Sequence, residues 1–172
     1  MMYALWIGRI ALATVFVVAA TSKLRSRAAF HDFLESLPGF GVPAARSIGA
    51  ALVLAELGAA GALVGWPRVG GSLAALLLTG FSAGIVRVLG RPEPVQCRCF
   101  GASRSIVGRS HLVRNLVLAA LAVAVAVADR DAARASLELL AATAGGLGLG
   151  LLVTRWDDLV FIFSPPQRSS VR

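Results

Sequence analysis

Apolar residues in this chain fall into runs of similar length, each closed by charged or turn-forming residues. A helix rising 1.5 Å per residue needs about 20 mostly apolar residues to cross the hydrocarbon core of a bilayer. Four runs meet that length, over residues 3–21, 45–66, 69–89 and 112–128. A fifth run, 136–154, carries Glu138 near its start and is interrupted by Gly145, Gly146, Gly148 and Gly150. Arg134 and Arg155 bracket it and Trp156 follows as an interfacial anchor, which favours a span there too.

Between the first two runs the pattern changes. Lys23, Arg25, Arg27, Asp32 and Glu35 alternate with Phe30, Phe33, Leu34 and Leu37 at helical spacing. That spacing predicts a short interfacial helix ended by Pro38-Gly39. Pro67-Arg68 predicts a tight turn between the second and third spans. The longest connection runs from Gly90 to His111, and connections of that length are more often functional than idle. Small residues recur at four-residue spacing at Gly61 and Gly65, Gly80 and Gly84, and Gly146 and Gly150. Such spacing lets helix backbones approach closely, and packing within one chain is the expected use.

The expected fold class is therefore all-α: a polytopic membrane helical bundle with four core transmembrane helices and a fifth C-terminal span. Residues 1–155 would form the bundle and 156–172 a partly disordered tail. Composition agrees. The chain has 172 residues, 57% hydrophobic and 15% charged, with a mean hydropathy of +0.77. Soluble domains are about 25% charged. The N-terminus is read as an uncleaved span, because no Lys or Arg precedes the run and Arg9 lies inside it.

A net charge of +8 raises nucleic acid as a partner. The basic residues form no stripe and no recognition motif accompanies them, so a nucleic-acid role is excluded. They cluster instead at the ends of the runs. With five spans, one side collects Lys23, Arg25, Arg27, Arg46, Arg87, Arg91, Arg98, Arg104, Arg109, Arg114, Arg155, Arg168 and Arg172. The other side has Arg68, Arg130 and Arg134. The positive-inside rule puts the 90–111 connection in the cytoplasm, with the lipid bilayer as the protein's first partner. That placement conflicts with stable disulfides, which belong to oxidising compartments.

The conflict matters because this connection holds the only two cysteines, in Cys97-Arg98-Cys99-Phe100-Gly101. A bridge across one residue closes a small, strained ring that is easily reduced. Arg98 between the thiols, with Arg91 and Arg104 nearby, favours the thiolate that exchange requires. Gly101 permits an unusual turn and Phe100 can press the segment onto the bundle. Thiol–disulfide exchange is the leading reading. Inert thiols, or half of a metal site shared between chains, are the alternatives. Two cysteines do not complete a zinc site, so no metal is expected from this chain alone.

Two further groups stand out. Glu56 lies mid-span, where an ionisable group is costly and needs a partner. Arg9 is about 20 Å from the end of the first span and Glu56 about 16 Å from the start of the second, both counted from the same membrane side. An Arg9–Glu56 pair follows as an expectation, either holding the first two spans in register or serving proton movement or a quinone headgroup. Arg114-Asn115 opens the fourth span, where Arg114 would steady a thiolate or acidic headgroup, or snorkel to the interface. His111 is a possible proton donor or a solvated loop residue, and Lys23 a boundary anchor.

Taken in order, Arg9, Phe16, Ser22-Lys23-Leu24, Glu56, Cys97-x-Cys99-Phe100-Gly101 and Arg114-Asn115 resemble the methylamine-utilisation protein MauE family, within the wider DoxX-like membrane proteins. The resemblance covers the first four spans. It implies a four-helix bundle similar to the quinone-linked disulfide-forming enzymes. It also implies a role in maturing disulfide-rich periplasmic proteins, such as the small subunit of methylamine dehydrogenase, beside a thioredoxin-like partner. The chain departs from the family in having Arg98 where Gly is common, and in its Gly-rich fifth segment.

The expectation is a bacterial inner-membrane thiol–disulfide oxidoreductase or maturation factor, with Cys97 and Cys99 as the exchanging pair and a quinone as one possible electron carrier. Arg98, Phe100, Gly101, Arg114 and Asn115 would support them. The alternative is a non-enzymatic scaffold that docks a soluble partner through its basic loops. A transporter is disfavoured by the lack of paired broken helices and an internal repeat.

Overall fold

A computed structural model describes residues 2–35, 42–90, 108–128 and 137–155. Among the described residues there are six helices and no strand: α1 (Met2–Leu24), α2 (Arg27–Glu35), α3 (Val42–Gly65), α4 (Pro67–Leu89), α5 (Arg109–Val127) and α6 (Leu137–Thr154). All except α2 are long and apolar enough to cross a membrane. The protein is a multi-pass membrane bundle, as the hydropathy pattern predicts.

Local chemistry sets the helix ends. Ser26 caps α2 by accepting the Ala29 N–H at 3.0 Å. Trp66 alone separates α3 from α4, with Pro67 opening α4, where its missing N–H is no loss to that helix. Gly90 closes α4 by donating its N–H to the Val86 carbonyl at 3.2 Å.

Helices α1, α3, α4 and α5 form a four-helix ring, and α6 packs on the outer side of α1. Contacts fix the directions. Lys23 of α1 meets Glu56 of α3 and Arg9 meets Leu63, so these helices are antiparallel. Gly71 near the start of α4 abuts Ala122 and Ala126 near the end of α5. Tyr3, Trp6 and Thr14 of α1 meet Glu138, Thr143 and Gly150 in that order, so α6 runs parallel to α1.

The core joins Leu12, Val15 and Phe16 to Ala59, Leu63, Leu78, Leu118 and Val125. Lipid tails are as apolar as leucine, so burial alone does not hold such helices together; close packing and hydrogen bonds do. Small residues supply the closeness. A Cβ on Gly71 would stand 2.7 Å from the Ala122 carbonyl oxygen, and one on Gly150 would stand 2.8 Å from that of Ala11. Gly146 meets the Ile7 carbonyl in the same way. Gly61, Gly65, Gly80 and Gly84 instead face open space. In-chain packing therefore accounts for one of the three spaced pairs. Large apolar side chains such as Leu54, Leu76, Val117 and Val127 also point outward, as lipid-facing surfaces require.

Candidate functional site

One end of the bundle gathers its buried polar groups. The C-termini of α1 and α4 and the N-termini of α3 and α5 meet there, following the directions above. Lys23, Ser82, His111, Arg114 and Asn115 are all buried on these helix segments, and Glu56 reaches toward them from mid-α3.

Lys23 and Glu56 are 3% and 1% exposed, and form the central pair. The Lys23 ammonium donates to Glu56 Oε1 at 2.7 Å and Oε2 at 2.9 Å, and to the Ala19 carbonyl at 3.2 Å. It also sits 5.1 Å from the Phe33 ring centroid. Phe33 belongs to a cluster with Leu34 and Ala45, packed by Phe30 and Leu52, which lays α2 over the mouth of the α1–α3 seam. The interfacial helix thus acts as a cover for a buried ion pair.

This corrects the expected Arg9–Glu56 pair and the reading of Lys23 as a boundary anchor. Helical side chains lean toward the N-terminus of their own helix. In antiparallel helices, Lys23 therefore leans into the membrane and Glu56 leans up to meet it. Arg9, like Lys23, leans toward the start of α1, which carries it away from Glu56 and toward the end of α3. Its Nε donates to the Leu63 carbonyl at 3.0 Å and its Nη2 to that of Val64 at 2.9 Å. The Leu63 carbonyl is four residues before Pro67, whose nitrogen has no hydrogen to offer. Arg9 supplies the missing donor, at the negative end of the α3 dipole, and its guanidinium lies 4.6 Å from the Trp6 ring. With both Glu56 oxygens already accepting from Lys23, a quinone headgroup would have to displace an ammonium to reach them. The pair ties α1 to α3.

At the start of α5, Gly108 donates its N–H to His111 Nδ1 at 3.3 Å, and Ser110 Oγ lies 3.4 Å from the same nitrogen. His111 and Arg114 are 2% and 7% exposed. Neither the solvated-loop reading of His111 nor the snorkelling of Arg114 describes them, because both side chains turn into the bundle. Asn115 is buried beside them on the same helix. Cys97, Arg98, Cys99, Phe100 and Gly101 lie outside the described residues, as does the tail 156–172. The segment carrying them leaves α4 at Gly90 and enters α5 at Gly108, both at this end.

Elsewhere, His31, Asp32 and Glu35 bring potential metal-ligating atoms together on exposed α2. His31 Nδ1 lies 3.3 Å from Glu35 as an ordinary i,i+4 surface pair. Sequence reasoning missed Lys23 as a partner of Glu56. The signal was present in the lean of helical side chains, which a count of residue depth ignores.

The bundle and its buried ion pair define a polytopic helical membrane protein. The family model for methylamine utilisation protein MauE matches residues 1–128, and the chain belongs to that family. It is 36% identical over 122 residues to the methylamine utilization protein MauE of Paracoccus denitrificans. That alignment covers 69% of this chain and 66% of the relative, so the chain spans slightly under two thirds of that protein's length. No solved structure matches the chain. The family match covers the four-helix ring, and α6 lies beyond it.

Proposed function

We propose that this protein is an inner-membrane thiol–disulfide exchange or maturation factor, working through Cys97 and Cys99. The observation that carries the reading is the sequence Cys97-x-Cys99-Phe100-Gly101 within the matched part of a MauE-family chain, as its only cysteines. The thiolate of one cysteine attacks the disulfide of a thioredoxin-like partner, forming a mixed disulfide and releasing one partner sulfur as thiolate. The second cysteine then attacks the mixed disulfide, leaving this chain oxidised and the partner reduced by two electrons. The reverse sequence passes a disulfide from this chain to a client. Arg98 lowers the cost of the thiolate. By family resemblance, clients are disulfide-rich proteins such as those of methylamine oxidation.

By charge count the cysteine segment faces the cytoplasm, where the thiols would cycle rather than rest as a stable bridge. The test is trapping. Cys97→Ser or Cys99→Ser in membranes should hold a mixed disulfide that reductant releases. No trapped partner, with a Cys97→Ser/Cys99→Ser double variant that still matures its client, refutes the reading.

A further inference from the structure

The geometry points to a binding site for the phosphate headgroup of an anionic phospholipid between α2 and the start of α3. A cavity of about 400 Å³ opens there, its lining mixing apolar Leu24, Phe30 and Leu34 with polar Ser26 and His31 and basic Arg27 and Arg46. Residues 27, 30, 31 and 34 follow the i, i+3, i+4, i+7 spacing, so one face of α2 carries all four. Asp32 lies about 100° further round the helix from His31, and Glu35 is engaged by His31. The cavity thus receives two arginines, Arg27 from α2 and Arg46 from α3. Among the described residues neither Arg27 nor Arg46 makes an ion pair.

Depth selects the ligand. Leu24 ends the first span and Arg46 lies one turn into the second. The cavity is thus at the boundary between hydrocarbon and headgroups, and its mixed lining matches a molecule with a phosphate joined to acyl chains. Two arginines suit phosphate oxygens through forked donors. A free phosphate would leave Leu24, Phe30 and Leu34 without a counterpart, so the site is assigned to lipid. Basic pockets between membrane helices recognise acidic headgroups by this chemistry. The inference uses none of the cysteine chemistry and stands apart from the redox reading.

The test is native mass spectrometry of the delipidated full-length protein in detergent, with phosphatidylglycerol, phosphatidylcholine of the same acyl chains, and inorganic phosphate as probes. One phosphatidylglycerol per chain should be retained about tenfold or more tightly than phosphatidylcholine. The Arg27→Gln/Arg46→Gln variant should lose that preference, and its melting point without added lipid should stay at the wild-type value. Arg87→Gln, at the same membrane side but outside the cavity, should keep it. Equal retention of both lipids overturns the proposal, as does a preference that survives the double variant. A preference lost equally in Arg87→Gln would assign it to general surface charge. Displacement of the lipid by millimolar phosphate would assign the arginines to a free anion.

Discussion

Removing one partner of the Lys23–Glu56 pair strands the other charge inside the bundle. Breaking a buried pair from one side typically costs about 3–5 kcal/mol, whereas replacing both members with apolar residues of similar volume is often neutral. Lys23→Met and Glu56→Leu should each lower the unfolding midpoint in detergent sharply, and the double variant should recover much of the loss. A double variant as unstable as the sum of the singles would show the two residues acting independently. Arg9→Ala should cost less, about 1–3 kcal/mol, because it leaves carbonyls of α3 without donors and strands no charge. Arg9→Lys should restore part of that stability, since one ammonium can serve a carbonyl without reproducing the two-nitrogen grip. Parallel denaturation curves of the two Arg9 variants check this.

At the scale of elements, the glycines divide by what they face. Gly146→Leu and Gly150→Leu would drive side chains into the backbone of α1, and overpacking of this kind costs about 1–3 kcal/mol or more. Both should loosen α6, read as faster proteolysis after residue 128. Gly80→Leu and Gly84→Leu face open space and should leave the cleavage rate unchanged. The elements themselves were legible in the sequence. Apolar run length fixed five spans, Pro67 marked the reversal, and the Phe30, Phe33, Leu34 spacing announced α2. Their mutual arrangement was less so. Spaced glycines look alike in a sequence whether they meet a helix or lipid, so Gly146 and Gly80 could not be told apart. Glu138 reads in the sequence as a lone charge in the fifth span, and only the structure supplies its partner, the Tyr3 hydroxyl that donates to it. Glu56 announced a need for a partner, but the choice of Lys23 over Arg9 depended on which way each side chain leans.

For the whole molecule, five spans put the two ends of the bundle sequence on opposite membrane faces. Reporters fused ahead of Met2 and after Arg155 should therefore report opposite compartments, and matching signals would remove α6 as a span. Among the basic residues counted toward sidedness, Lys23 is spent inside the bundle. Arg25, Arg27, Arg46, Arg87 and Arg109 remain exposed or near the surface at one end. An impermeant thiol reagent added to intact spheroplasts should then leave Cys97 and Cys99 unlabelled until the membrane is opened. Labelling in closed spheroplasts would reverse the orientation and move the thiols to an oxidising compartment.

The proline that opens α4 has a bearing on how the chain is made. It deprives α3 of a donor, and the replacement arrives from a cation embedded in α1, which leaves the ribosome before α3 and α4. Neither partner is comfortable in lipid by itself: the guanidinium is a burden until it finds carbonyls, and the hairpin's bend is incomplete until it finds the guanidinium. Helix α1 would therefore gain by staying near the insertion machinery until α3 and α4 follow, which would couple assembly of the bundle to the order of its synthesis.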